Sequence, residues 1–180
     1  MDGKITPHTL PYPSGQTPDC IIPAEYCRHR FALGKLGTRP LVAICMNPSA
    51  ASDTLSDHTA NRIIKIGQDL NMDGWMIFNT YPERSTNPKD LKDFDPDICG
   101  KNLAVIADFL TEHNILEVWG AWGNSTNPTL KEAKSQLLSM LKNMGIKVYY
   151  FGTLTKNGNP RHPLQRHEKW DLKRKHYLEL

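Results

Sequence analysis

The chain has 180 residues, 39% of them hydrophobic and 23% charged, with a formal net charge of +3. That mixture fits one ordinary globular domain, and the mildly basic balance permits a nucleic-acid partner without demanding one. No apolar run approaches the roughly 20 residues a membrane-spanning helix needs, and Cys20, Cys27, Cys45, Cys99 and the scattered histidines match no common zinc or disulfide spacing.

Residues 1–19 hold many Pro, Thr and Gly residues and read as a flexible N-terminal arm, leaving 20–180 as a single α/β domain. The arm lacks the apolar core of a signal peptide, so a cytoplasmic location is expected. The segment "IIPAEYCRHRFALGKLG" (21–37) carries Arg28, Arg30 and Lys35 and suggests a short hairpin or packing flap. Four short runs rich in β-branched or aromatic residues follow, at 41–46, 75–79, 115–120 and 146–152. Between them the spacing predicts helices over 57–70, 98–114 and 128–145, the last opening on an Asn-Pro-Thr start signal and closing on Gly145. The basic, amphipathic tail 167–180 reads as a further surface helix. Strands alternating with helices imply a three-layer α/β/α sandwich around a central, mainly parallel four-stranded sheet.

In such sheets ligands bind beyond the carboxyl ends of the strands. Those ends carry Asn47-Pro48-Ser49 with Asp57 and Arg62 downstream, then Asn79 and Tyr81, then Trp119-Gly120, and finally Lys156, Arg161 and His162. No phosphate-binding GxxxxGK[ST] loop, dinucleotide GxGxxG fingerprint or serine elbow is present. Asparagine offers both a donor and an acceptor, which suits reading the edge of a nucleobase. Tyr and Trp can stack on its face. The blander reading is that Asn47 punctuates a turn, Asn79 caps a segment, and Trp119 and Trp122 serve packing.

The order of these motifs resembles the uracil-DNA glycosylase superfamily, and its mismatch-specific branch most closely. "MNPS" (46–49) is similar to that branch's G-x-N-P-G motif, with Ser49 where Gly stands there. "DHTANRII" (57–64) resembles its "HPANRFW" stretch, "MIFNT" (76–80) its "LLNT", "EVWG" (117–120) its "LWG", and "RHPLQR" (161–166) its closing His-Pro-Ser, with Leu164 in place of Ser. The chain is also similar to a bacterial and phage family, a domain of unknown function numbered 1643, over about residues 26–166. That second resemblance rests on Asn47 to Ser49, Asp57/Thr59/Arg62, Trp119-Gly120 and Gly158/Pro160/His162 to Leu164.

The glycosylase resemblance implies a uracil-DNA-glycosylase-like fold and hydrolysis of an N-glycosidic bond in DNA, with no metal and no cofactor. On it, Asn47 would orient the attacking water and His162 would donate to the departing base. Pro48, Ser49, Asp57, Arg62, Asn79, Tyr81, Trp119 and Gly120 would form the substrate site, with Asn79 on the base edge. Arg84, Lys156, Arg161 and Arg166 would hold flanking phosphates. The expected partner is DNA or a nucleotide-like ligand, with no membrane and a monomer by default. Three other readings stay open: a non-catalytic nucleobase or nucleic-acid binding module, a hydrolase of small N-glycosides, and a phage or bacterial interaction protein using the fold as a scaffold.

Overall fold

In the computed structural model, which describes residues 8–165 and 170–180, the alternating strand and helix signals form a mixed α/β fold. The strands are β1 (Cys20–Ile22), β2 (Ala32–Lys35), β3 (Pro40–Cys45), β4 (Gly74–Asn79), β5 (Glu117–Gly120), β6 (Lys147–Tyr150) and β7 (His176–Tyr177). The helices are α1 (His58–Asp69), α2 (Pro96–Glu112) and α3 (Pro128–Asn143).

The open sheet has seven strands in the order β1-β2-β4-β3-β5-β6-β7, rather than the four expected. The four expected runs form its centre, where β4-β3, β3-β5 and β5-β6 pair in parallel. The three extra strands are short, antiparallel and peripheral. Two of them come from the 21–37 segment: β1 and β2 form an antiparallel pair, and β2 then pairs with β4. Gly34 makes that pairing possible, because a Cβ there would meet the Trp75 carbonyl oxygen at 2.3 Å.

The tail departs from the expected helix. Residues 176–177 instead add β7 to the edge of β6, with Tyr149 opposite Tyr177. Trp170 and Leu172 pack against the core, so burial of these side chains and edge pairing outweigh the weak helical period. Residues 8–19, read from sequence as an arm, lie along the domain: Leu10 bridges to Ser56, and Tyr12 donates its hydroxyl to the Ser52 carbonyl at 2.5 Å.

The helices divide between the two faces. Ile63, Ile64 and Ile66 of α1 pack with Leu41, Ala43, Trp75 and Ile77. Ile106 and Phe109 of α2 and Leu137 and Leu141 of α3 pack with Val42, Ile44, Met76 and Phe78 on the other face. Consecutive residues of β3 and β4 therefore feed opposite cores, which explains why both read as unbroken apolar runs. Each fully buried side chain of this size contributes roughly 1.5–3 kcal/mol.

Side-chain caps start all three helices. Asp57 accepts from the Ala60 amide, Asp95 from the Asp97 and Ile98 amides, and Asn127 from the Leu130 amide. Such a cap is worth about 1 kcal/mol. Among the described residues no helix is long and apolar enough to cross a membrane.

Candidate functional site

Beyond the carboxyl ends of β3 and β4 lies a cavity of about 290 Å³. Asn47, Ser49, Asp57, Asn79 and His162, all named from sequence, line it together with Arg30, Cys45, Thr59, Ser85 and Thr86. Three elements aim these groups. β3 ends on Cys45 and delivers Asn47 two residues later, β4 ends on Asn79, and the N-cap of α1 supplies Asp57.

Asn47 is oriented by its own loop. Its Nδ2 donates to the Ser85 carbonyl at 2.8 Å and the Pro48 carbonyl at 3.1 Å. With both amide hydrogens directed at carbonyls, Oδ1 remains as an acceptor. Pro48 is buried behind it, and its carbonyl also accepts the Ser85 amide at 2.9 Å. Asp57 ties the loop to the helix: one carboxylate oxygen accepts from Ala60 and the other from the Ala51 amide at 3.2 Å.

Asn79 is 1% exposed, and its Oδ1 accepts from Arg30 Nη2 at 3.4 Å. Its Nδ2 has no hydrogen-bond partner. Arg30 is 3% exposed and donates through Nη1 to the Ala51 carbonyl at 3.0 Å, while its Nε is also unpartnered. The same Ala51 carbonyl accepts from Arg84 at 2.8 Å. Two guanidinium groups thus converge on one neutral oxygen. Burial first and then the neighbouring Arg84 charge lower the Arg30 pKa to about 10, against the opposing pull of Asp57. Arg30 remains cationic at neutral pH.

His162 sits on the opposite wall, and its Nδ1 accepts from the Leu164 amide at 3.3 Å. That contact assigns the proton of the neutral ring to Nε2. Burial lowers the His162 pKa, with Asp57 opposing, so the ring is neutral at pH 7. Gly123 makes room for it: the backbone there has φ +66°, and a Cβ would lie 3.0 Å from the His162 Cβ.

The other sequence-named residues lie elsewhere. Tyr81 is buried in a separate cluster against Phe94, with its hydroxyl accepting from the Asp95 amide. Trp119 is core, edge-on to Phe151 and Trp170. Gly120 leaves space for Pro160, Trp122 and Val148. Arg62 is exposed on α1, in an adjoining groove of about 320 Å³ that also holds His58, Lys65 and Leu164. Leu164 borders both hollows.

Arg84 donates to the Ser49, Ala51 and Cys27 carbonyls and stacks on Tyr26, so its guanidinium serves the fold. Arg161 likewise donates to Thr153 and Leu154. Lys156 is exposed, and Arg166 lies outside the described residues. Among the described residues no group of three or more His, Cys, Asp or Glu is placed to hold a metal ion.

Arg30 is the lining residue that strand-end reasoning missed. It precedes an antiparallel strand and reaches the cavity through tertiary pairing, its amide donating to the Pro82 carbonyl at 2.9 Å. The available sequence signal was a charged residue abutting the apolar run "FAL".

Residues 30–164 match the model of a family described as Protein of unknown function (DUF1643). No curated protein and no solved structure matches.

Proposed function

The chain belongs to the DUF1643 family, and we propose that it receives a nucleobase of DNA, modified bases included, and hydrolyses its N-glycosidic bond with a water oriented by Asn47. The observation that carries this reading is the convergence of Asn47, Asp57, Asn79 and His162 on one cavity large enough for a single base. A volume at the lower end of the roughly 300–1,000 Å³ of small-molecule sites suits a single heterocycle.

Each group then has a task. Asn47 Oδ1 accepts a hydrogen bond from water and aims its lone pair at the anomeric carbon. An amide cannot take the proton, so bond cleavage leads, the water follows, and its proton passes to the base that left with the bonding pair. Asp57 supplies negative charge beside the oxocarbenium-like sugar. His162 donates through Nε2 to a base oxygen as charge builds there. Extruding the base from a duplex costs a few kcal/mol, least for a damaged or mispaired base. The groove holding Arg62 and Lys65 offers the adjoining strand a cationic wall, a task the engaged guanidiniums of Arg84 and Arg161 leave open.

One observation favours a second reading, binding without chemistry. Asp57, the carboxylate of the cavity, already accepts two backbone N–H groups, so both of its oxygens are engaged in holding the loop and the start of α1. Incubation with oligonucleotides carrying uracil, mismatched and hypermodified bases, followed by alkaline cleavage, separates the two. Hydrolysis gives abasic sites that Asn47→Ala and His162→Ala lose. Retained binding with no abasic sites on any substrate points to the binding module instead.

A further inference from the structure

We infer that Asn102, in the middle of α2, is a positioning residue for the two asparagines of the cavity. It acts through the backbone at the end of β4 and through Thr80. The inference goes beyond the hydrolysis reading and rests on it only for the reaction that the positioning serves.

Asn102 is fully buried, in the inward stripe of α2 between Cys99 and Ile106, where an apolar side chain would suit the neighbouring Phe109 and Leu110. Its Nδ2 donates to the Asn79 carbonyl at 2.9 Å, with a longer contact of 3.5 Å to the Thr80 carbonyl. Its Oδ1 has no hydrogen-bond partner among the described residues. A buried acceptor left unmatched costs stability, so packing alone does not account for an asparagine here. The donated bond does. β2 pairs with β4 only as far as Ile77, and the Asn79 carbonyl lies beyond that last pair. Asn102 supplies the donor that the sheet no longer offers there.

α2 holds the same segment a second time, where the Asp95 amide donates to the Tyr81 hydroxyl at 3.1 Å. From β4 the tie continues to β3. The Thr80 amide donates to the Cys45 carbonyl at 2.9 Å, and the Thr80 Oγ1 donates to the Met46 carbonyl at 2.6 Å. The Tyr81 amide donates to that same Met46 oxygen at 3.3 Å.

Met46 immediately precedes Asn47, so the backbone bearing Asn79 is fixed to the backbone entering Asn47, and both are fixed to α2 through Asn102. Asn102 and Thr80 are not among the residues lining the cavity, so each acts through its neighbours. A misplacement of roughly 1 Å at a reacting group can cost about a hundredfold in rate, which is the scale of effect such a clasp controls.

Amide NMR spectra of the ligand-free full chain test the inference, on wild type, Asn102→Leu, Thr80→Val and Thr80→Ser. In Asn102→Leu the lost hydrogen bond and the gained apolar burial oppose each other, so the melting temperature should stay within about 5 °C of wild type. The expected result is that the side-chain amide signals of Asn47 and Asn79 shift and broaden in Asn102→Leu and Thr80→Val. The backbone amides of Val118 on β5 and Val148 on β6 keep their positions, and Thr80→Ser returns the Asn47 signal to its wild-type place. On an oligonucleotide that yields abasic sites, kcat should fall about tenfold in Asn102→Leu with KM within about threefold of wild type. If Asn102→Leu does not fold, the Thr80 pair carries the test. Abasic sites from wild type on no substrate overturn the hydrolysis reading, and the ligand-free spectra still decide the inference. Unmoved Asn47 and Asn79 signals in the folded variants, changes spread evenly into β5 and β6, or no rescue by Thr80→Ser overturns the inference itself.

Discussion

The two ends of the sheet each carry a hollow, and they differ in how their polar groups are matched. The amino-end groove is the larger, about 660 Å³ against about 290 Å³, and includes Arg39, Glu117, Lys147 and Lys175. There Lys175 pairs with Glu117, which also accepts from Tyr177, and Asp73, beside that groove, accepts from the Thr38 and Arg39 backbone amides. At the carboxyl end, Arg30 and Asn79 keep buried donors without partners. The carboxyl-end hollow is thus set apart by the polar side chains that converge on it, rather than by its volume.

The largest expected effect sharpens the contrast from the side of the core. Trp119→Ala removes an indole packed edge-on against Phe151 and Trp170 and should cost roughly 3–5 kcal/mol in chemical denaturation. Asn79→Ala should cost less. It removes the Oδ1 that accepts from the buried Arg30 guanidinium, so stability should fall by about 1–3 kcal/mol. Base binding should weaken by about a hundredfold, near 3 kcal/mol, in calorimetry. A collapse of the fold in Asn79→Ala would make Asn79 a structural residue and erase the contrast.

His162 gives the next effect. Burial lowers its folded-state pKa, so the unfolded chain binds the proton more tightly. Its contribution is intact above about pH 6.5 and falls as pH drops towards the folded value. Denaturation of His162→Gln at a series of pH values should show a flatter profile in that window than wild type. An unchanged slope would mean that the ring is not held neutral in the cavity.

The smallest effect belongs to the paired end. Burial pushes the Glu117 carboxyl up, but its hydrogen bonds with Lys175 and Tyr177 outweigh that and hold it below its ordinary range. The partners are partly exposed, so Glu117→Gln should cost under about 1 kcal/mol at neutral pH. The difference from wild type should fade as the pH falls from about 4.3 through the lowered folded value. A loss of ligand binding in this variant would contradict the assignment of the site to the opposite end.

Much of this architecture was legible in the chain because the signals were local. The helices over 58–69, 96–112 and 128–143 follow apolar spacing and capping residues, and β3 and β4 follow unbroken apolar runs. The edges were not. β1, β2 and β7 are 3, 4 and 2 residues long, too short to carry a period, and they exist because a neighbouring strand offers hydrogen bonds. The tail around Trp170 and Leu172 has a helical rhythm that core packing overrides.

The site divides the same way. Asn47, Asp57, Asn79 and His162 could be named because each follows a strand or opens a helix. Arg30 could not, since its place in the cavity depends on β2 joining β4 from the far side. Tyr81 follows β4 and Trp119 lies near the end of β5, yet their rings turn into the core, a choice that position at a strand end does not encode.

The most direct test of the carboxyl-end cavity as a base site is a two-dimensional amide NMR titration of the full chain with 5-nitrouracil above its ring ionisation. The expected shifts concentrate at the Asn79 side-chain amide, Ala51, Thr59 and His162, with Arg39, Glu117 and Lys147 unmoved. Shifts clustered at the amino-end groove, or none anywhere at saturating ligand, would contradict the assignment.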